Sequence, residues 1–196
     1  MFYFLTILMC MIFISLLNVF ISIPIFNFDA WYVVIAVVVS TISVIIVDGI
    51  FATLVRRALP KKWFLLTKKG FVAGKKECRF YEKIGIKKWK EKVLELGMFT
   101  NFRKNKIVNP TDNEYLARYI MEANYGIICH LACVVFGYVI IFIYPLKYLL
   151  CFGVPVATVN AVLNLLPLFI LRYNLSKLHS LYKFNERRQI KEKIVC

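Results

Sequence analysis

VLNLLPLFILRYNLSKL, residues Val162 to Leu178, decides which solvent this chain folds in. Its first ten residues are apolar except for Asn164, and the run then stops at Arg172-Tyr173-Asn174. An amide in such a run needs a partner or a water-filled cavity. An Arg-Tyr pair at its end suits a bilayer surface, where Arg snorkels to the headgroups and Tyr joins the aromatic belt.

The rest of the chain agrees. Sixty per cent of its 196 residues are hydrophobic and the mean hydropathy is +0.68, well outside the range of a soluble domain. A membrane-crossing helix needs roughly 20 mostly apolar residues. Four such stretches occur, at about residues 2–25, 31–55, 123–145 and 148–171, and Asp48 is the one acidic residue within them. The first lacks the basic start and the small-residue cleavage site of a signal peptide, so it reads as a retained anchor.

Of the 26 Lys and Arg, 18 lie between Arg56 and Arg118 and six follow Tyr173. Positive residues favour the cytoplasmic side. The expectation is an all-α integral membrane protein: four transmembrane helices in one membrane domain (1–196), a cytoplasmic loop (56–118) and a cytoplasmic tail (173–196). Both termini then face the cytoplasm, and the location is the cell membrane. The net charge of +15 lies beside the spans. That placement implies anionic lipid headgroups as partner, rather than nucleic acid. Homo-oligomerisation stays open. Six cysteines occur with no CxxC, and a reducing cytoplasm predicts no disulfides.

Within the loop, RFYEKIGIKKWKEKVLEL spaces Ile86, Trp89, Val93 and Leu96 as one helix face, with lysines on the others. This predicts a basic amphipathic helix in the interface plane, Trp89 at headgroup depth. Asn109-Pro110 marks a turn, and Thr111-x-x-Glu114 has capping-box spacing for a helix that runs on into the third span.

Polar residues in the spans are the site candidates by default: Asn18, Asp48, Glu122, Asn124, His130, Asn160, Asn164 and Arg172. Asn160 and Asn164 share a helix face and form a polar stripe or hydrogen-bond between helices. His130, a candidate general base or acid, has Cys133 three residues on, so a thiol–imidazole pair is a weaker alternative. Glu122 and His130 are eight residues apart, about 12 Å along a helix, and could line one cleft without touching. Asp48-Gly49 opens a stretch superficially similar to the CDP-alcohol phosphotransferase motif, but Thr53 stands where that motif has Arg and the further aspartates are missing. No HExxH, GxSxG, phosphate-cradling glycine loop or metal-ligand cluster occurs.

Three blocks in order, YEKIGIKKWKEKVLELG (Tyr81 to Gly97), E-x7-H (Glu122, His130) and N-x7-R-Y-N-x3-L (Asn164, Arg172, Tyr173, Asn174, Leu178), resemble the glycosyl-4,4'-diaponeurosporenoate acyltransferase family over about residues 46–180. Ala123, Tyr125, Ile127 and Leu171 depart from its pattern. The resemblance implies transfer of a fatty acyl group to a hydroxyl of a glycosylated isoprenoid or related amphiphilic lipid. It implies no cofactor beyond acyl-CoA or another acyl donor as co-substrate, and no metal. His130 and Glu122 become the catalytic candidates: His130 deprotonates the hydroxyl, and Glu122 orients the acceptor sugar. Asn164 or Asn160 would donate to the developing oxyanion. Arg172, Tyr173, Asn174, Trp89 and Lys90 would meet substrate, the cations holding donor phosphates, and Asp48 joins these binding candidates. Two other function classes stay open: a non-enzymatic membrane partner or assembly subunit, and a membrane thiol peptidase using His130 with Cys133 or Cys129.

Overall fold

The computed structural model describes residues 2–65, 69–93, 107–145 and 148–195. Among them the chain is helical and no strand occurs. Three helices are long and apolar enough to cross a membrane: Ala30–Ala58, Asn113–Ile143 and Leu150–Glu192. A shorter apolar helix covers Leu5–Ile21 within the first expected span.

Among the described residues the α-helices, in chain order, are α1 (Phe2–Leu17), α2 (Ile23–Phe26), α3 (Ala30–Ala58), α4 (Lys75–Lys83), α5 (Ile86–Trp89), α6 (Asn113–Phe136) and α7 (Val154–Val195). A π-turn over Asn18–Ser22 joins α1 to α2, a 3-10 stretch over Gly137–Ile143 extends α6, and a π-turn over Leu149–Gly153 leads into α7. The chain divides into two compact units, Met1–Leu54 with His130–Leu165, and Val55–Cys129 with Leu166–Cys196. Helices α3, α6 and α7 contribute to both.

In the first unit, Val33, Val37 and Val44 of α3 pack with Ile14, Ile140, Phe152 and Val156. Each π-turn loosens the regular backbone ladder, and Asn18 answers for both. Its buried amide donates to the Ile14 carbonyl and to the Cys151 carbonyl, each at 2.9 Å. Glycine permits a tight approach at Gly153, where a Cβ would lie 3.2 Å from the Ile141 backbone. Phe28, Tyr32, Tyr148 and Phe152 form an aromatic cluster with centroids 4.8–6.1 Å apart.

In the second unit, Ala73, Tyr81, Ile86, Ile170 and Tyr173 form one core cluster. The single amphipathic helix expected through this stretch is two short ones. Gly85 takes a left-handed φ of 73°, open to glycine at little cost, and the chain turns there between α4 and α5. Trp89 consequently packs against this core, its indole N–H donating to the Ile84 carbonyl at 3.1 Å. Leu96 lies outside the described residues. The expected capping box is also replaced. Asp112, not Thr111, caps α6, its Oδ1 accepting from the Glu114 and Tyr115 amides at 2.9 and 3.1 Å. From there α6 does run unbroken to Phe136.

Candidate functional site

The first unit gathers four of the singled-out polar side chains. Asp48 comes from α3, His130 from α6, and Asn160 and Asn164 from adjacent turns of α7. The Asn164 amide nitrogen donates to Asp48 Oδ2 at 2.9 Å, and that of Asn160 to Asp48 Oδ1 at 3.2 Å. Asn164 Nδ2 also lies 3.1 Å from the Asn160 carbonyl and 3.2 Å from Asn160 Oδ1. Its own Oδ1 meets His130 Nδ1 at 2.9 Å. A chain of contacts therefore runs carboxylate, amide, imidazole.

Elementary energetics explain the partners. A carboxylate among apolar helices is costly unless its oxygens accept hydrogen bonds, and here each does. Amides supply those donors without a second charge. Both asparagines are buried, so their N–H groups are directed at Asp48 and its surroundings. The donors expected to meet an oxyanion thus hold a side chain in place. Glycine at 137 makes room, since a Cβ there would lie 2.6 Å from Asn160 Nδ2. The Cys133 thiol is directed at the Asp48 carbonyl, 3.8 Å away.

Glu122 belongs to the second unit and is not in this cluster. It forms an ion pair with Arg56 at 2.9 Å, and Arg56 also lies over the Tyr125 ring. Arg172 is in the second unit as well. Its Nε and Nη2 grip the two oxygens of Glu77 at 2.5 and 2.8 Å, and Tyr81 donates to the same carboxylate. The fork geometry suits guanidinium against carboxylate. Hydrogen bonding from Arg172 holds the Glu77 carboxyl at about 2, and burial pushes the Tyr81 phenol up. Tyr173 is buried and donates to Glu82 at 3.0 Å, with Lys177 over its ring at 4.4 Å. Lys87 pairs with Glu82 at 2.9 Å and lowers its pKa. Asn174, Trp89 and Lys90 are half-buried.

Glu77 and Glu82 were not among the sequence candidates. The available signal was an acid one helical turn from an aromatic, Glu77 and Tyr81, within a lysine-rich stretch. Beside them lies an open groove of about 610 Å³ lined by Val72, Lys75, Arg79, Ser176, Lys177 and Ser180, among others. Cys10, Cys78, Cys129, Cys133 and Cys151 are reduced thiols, and Cys196 lies outside the described residues. Among the described residues no three His, Cys, Asp or Glu side chains gather as metal ligands.

A family model described as Glycosyl-4,4'-diaponeurosporenoate acyltransferase matches residues 60–183. The matched stretch includes His130, Asn160, Asn164 and Arg172 and ends short of Asp48 on the N-terminal side. No curated protein and no solved structure matches the chain.

Proposed function

This chain belongs to the glycosyl-4,4'-diaponeurosporenoate acyltransferase family, and on that premise we propose that it is a membrane acyltransferase of carotenoid biosynthesis, moving a fatty acyl group onto a hydroxyl of a glycosylated isoprenoid or related lipid. One observation carries the chemistry: an imidazole linked through a single amide to a carboxylate, inside a unit built from apolar helices. Such a chain is a general base with its orienting groups attached.

The reaction needs little else. His130 takes the proton of the acceptor hydroxyl as its oxygen attacks the acyl carbonyl carbon. The tetrahedral intermediate collapses, the bond to the donor's leaving group breaks, and the imidazolium returns the proton to that group. The donor is an activated acyl compound, an acyl-CoA or another acyl donor. No cofactor or metal takes part. Asp48, Asn160 and Asn164 hold the base, while Glu122, tied to Arg56, supports the second unit.

Both substrates are amphiphiles, which favours a site reached from the bilayer. Four spans at the cell membrane, with both termini in the cytoplasm, accommodate the three long apolar helices and the shorter first one. The basic loop then meets anionic headgroups, and the groove bounded by Lys75, Arg79 and Lys177 is where a phosphate would find three cations. Arg172, committed to Glu77, shapes that region rather than gripping donor phosphate itself.

Comparative lipid mass spectrometry of membranes with and without the protein tests the reading. A species heavier by one acyl chain is expected. Identical lipid profiles when both substrate classes are supplied would instead favour a non-enzymatic membrane partner.

A further inference from the structure

The contacts around Asn164 assign a proton, and with it a role for Asp48, a residue outside the segment matched to the family. An asparagine side chain can be turned over, exchanging its oxygen and nitrogen, so its orientation must be argued from its neighbours. One end of Asn164 faces three oxygens: Asp48 Oδ2 at 2.9 Å, the Asn160 backbone carbonyl at 3.1 Å and Asn160 Oδ1 at 3.2 Å. An ionised carboxylate and a backbone carbonyl only accept hydrogen bonds. Asn160 Oδ1 is an oxygen for the same reason, because the other half of that amide donates to Asp48 Oδ1. The end of Asn164 that meets these oxygens must therefore be the NH2.

It follows that the end facing His130 is the carbonyl oxygen, which cannot donate. The 2.9 Å contact then requires the hydrogen to sit on His130 Nδ1. A neutral imidazole carries one N–H. Nε2 consequently holds the lone pair and is the atom that accepts a proton. After it does, the Nδ1–H to Asn164 contact is unchanged, so the base works without rearranging its support.

We infer that Asp48 is a positioning residue that, through the Asn164 amide, fixes His130 as the Nδ1–H tautomer and so makes Nε2 the general base. This rests on the acyltransfer reading for its consequence, but the tautomer itself does not. Asp48→Asn makes the dependence visible. One carboxylate oxygen becomes an NH2, which meets an existing NH2. Turning Asn160 over sets its NH2 against that of Asn164; turning Asn164 over sets its oxygen against the Asn160 carbonyl and its NH2 against His130 Nδ1. Turning Asn164 over is opposed by three oxygens in the wild type, but in Asp48→Asn that arrangement carries only one mismatch more than the others, so the second tautomer gains population.

The experiment is nitrogen NMR of ¹⁵N-histidine-labelled full-length protein in lipid bilayers, with the His130 resonances assigned by loss in His130→Ala. Protonated and unprotonated ring nitrogens differ widely in shift, which a purely structural role for Asp48 would not alter. The wild type should show Nδ1 protonated and Nε2 bare at a pH where the ring is neutral, and Asp48→Asn should show both forms. Product formation in the same bilayers should fall about 10- to 100-fold in Asp48→Asn, by analogy with the loss when the group orienting a metal-ligating imidazole is removed. A wild type protonated on Nε2 overturns the inference, as does an Asp48→Asn form that keeps the single tautomer and the full rate. Should Asp48→Asn fail to fold, the wild-type spectrum alone decides. A wild type with the Nδ1–H tautomer that transfers no acyl group breaks the acyltransfer reading instead, so the two failures look different.

Discussion

The two units hold their polar residues by opposite means. In the first, one carboxylate is met by two neutral amides, and the chain of contacts ends on an imidazole. In the second, carboxylates are met by full cations: Glu77 by Arg172, Glu82 by Lys87 and Glu122 by Arg56. The difference follows the surroundings. Among apolar helices a second charge adds a second desolvation cost, so amides are the cheaper partners. Along a lysine-rich loop cations are already present and partly hydrated, so ion pairs form at little cost and each contributes little. Chemistry that needs a fixed proton suits the first arrangement, and attachment to a charged surface suits the second.

The contrast predicts a ranking. Asn164→Leu removes the bridge between carboxylate and imidazole while keeping the volume. Acyl transfer should fall about 100-fold, because a misoriented base is slow even where the fold survives, and a product assay in bilayers measures it. Gly137→Ala tests the packing beneath the same cluster. Its Cβ would lie 2.6 Å from Asn160 Nδ2, and the crowding should cost about 1–3 kcal/mol in reversible unfolding from mild detergent.

The ion pairs should be less costly to break. Glu77→Gln should cost about 1 kcal/mol, more than an ordinary surface pair, because the Arg172 fork is lost. Its carboxyl sits at about 2 against an ordinary 4.5. The stability it contributes is therefore complete above pH 4.5 and disappears as pH falls toward 2. Fluorescence of Trp89, packed in the same core, should report a shallower acid dependence in Glu77→Gln. Least of all, Glu192→Gln breaks an exposed i,i+4 pair with Arg188. It should change the unfolding free energy by no more than about 0.5 kcal/mol. A larger effect there than at Glu77 would contradict the ranking.

Three of the apolar runs were legible because a long, nearly charge-free helix is a strong signal: α3, α6 and α7 each hold one, although α7 does not stop at Arg172 but continues to Val195. The four members of the first unit's polar cluster were each legible singly, since a polar side chain is conspicuous in apolar surroundings. Their pairings were not. Asp48 reads only as a lone acid within a span, and its partners come from α7, more than a hundred residues away. Glu122 and His130 look like companions on one helix, yet only His130 enters the cluster. Local rules also misplaced two boundaries. Gly85 could have continued a helix at modest cost, and only the turn into the Tyr81–Tyr173 core makes it a break. Thr111 and Asp112 are both good caps, and their order of use is set by where the chain enters α6.

In the proposed reaction His130 takes the acceptor's proton. The measurement that meets it most directly is acyl transfer by wild type and His130→Ala, reconstituted side by side in bilayers with an acyl donor and a glycosylated isoprenoid, and read as the lipid species heavier by one acyl chain. A His130 base predicts that species with the wild type and a loss of at least about 100-fold in the variant, the share a positioned acid–base group supplies. A His130→Ala protein that folds and forms the product at the wild-type rate would contradict it.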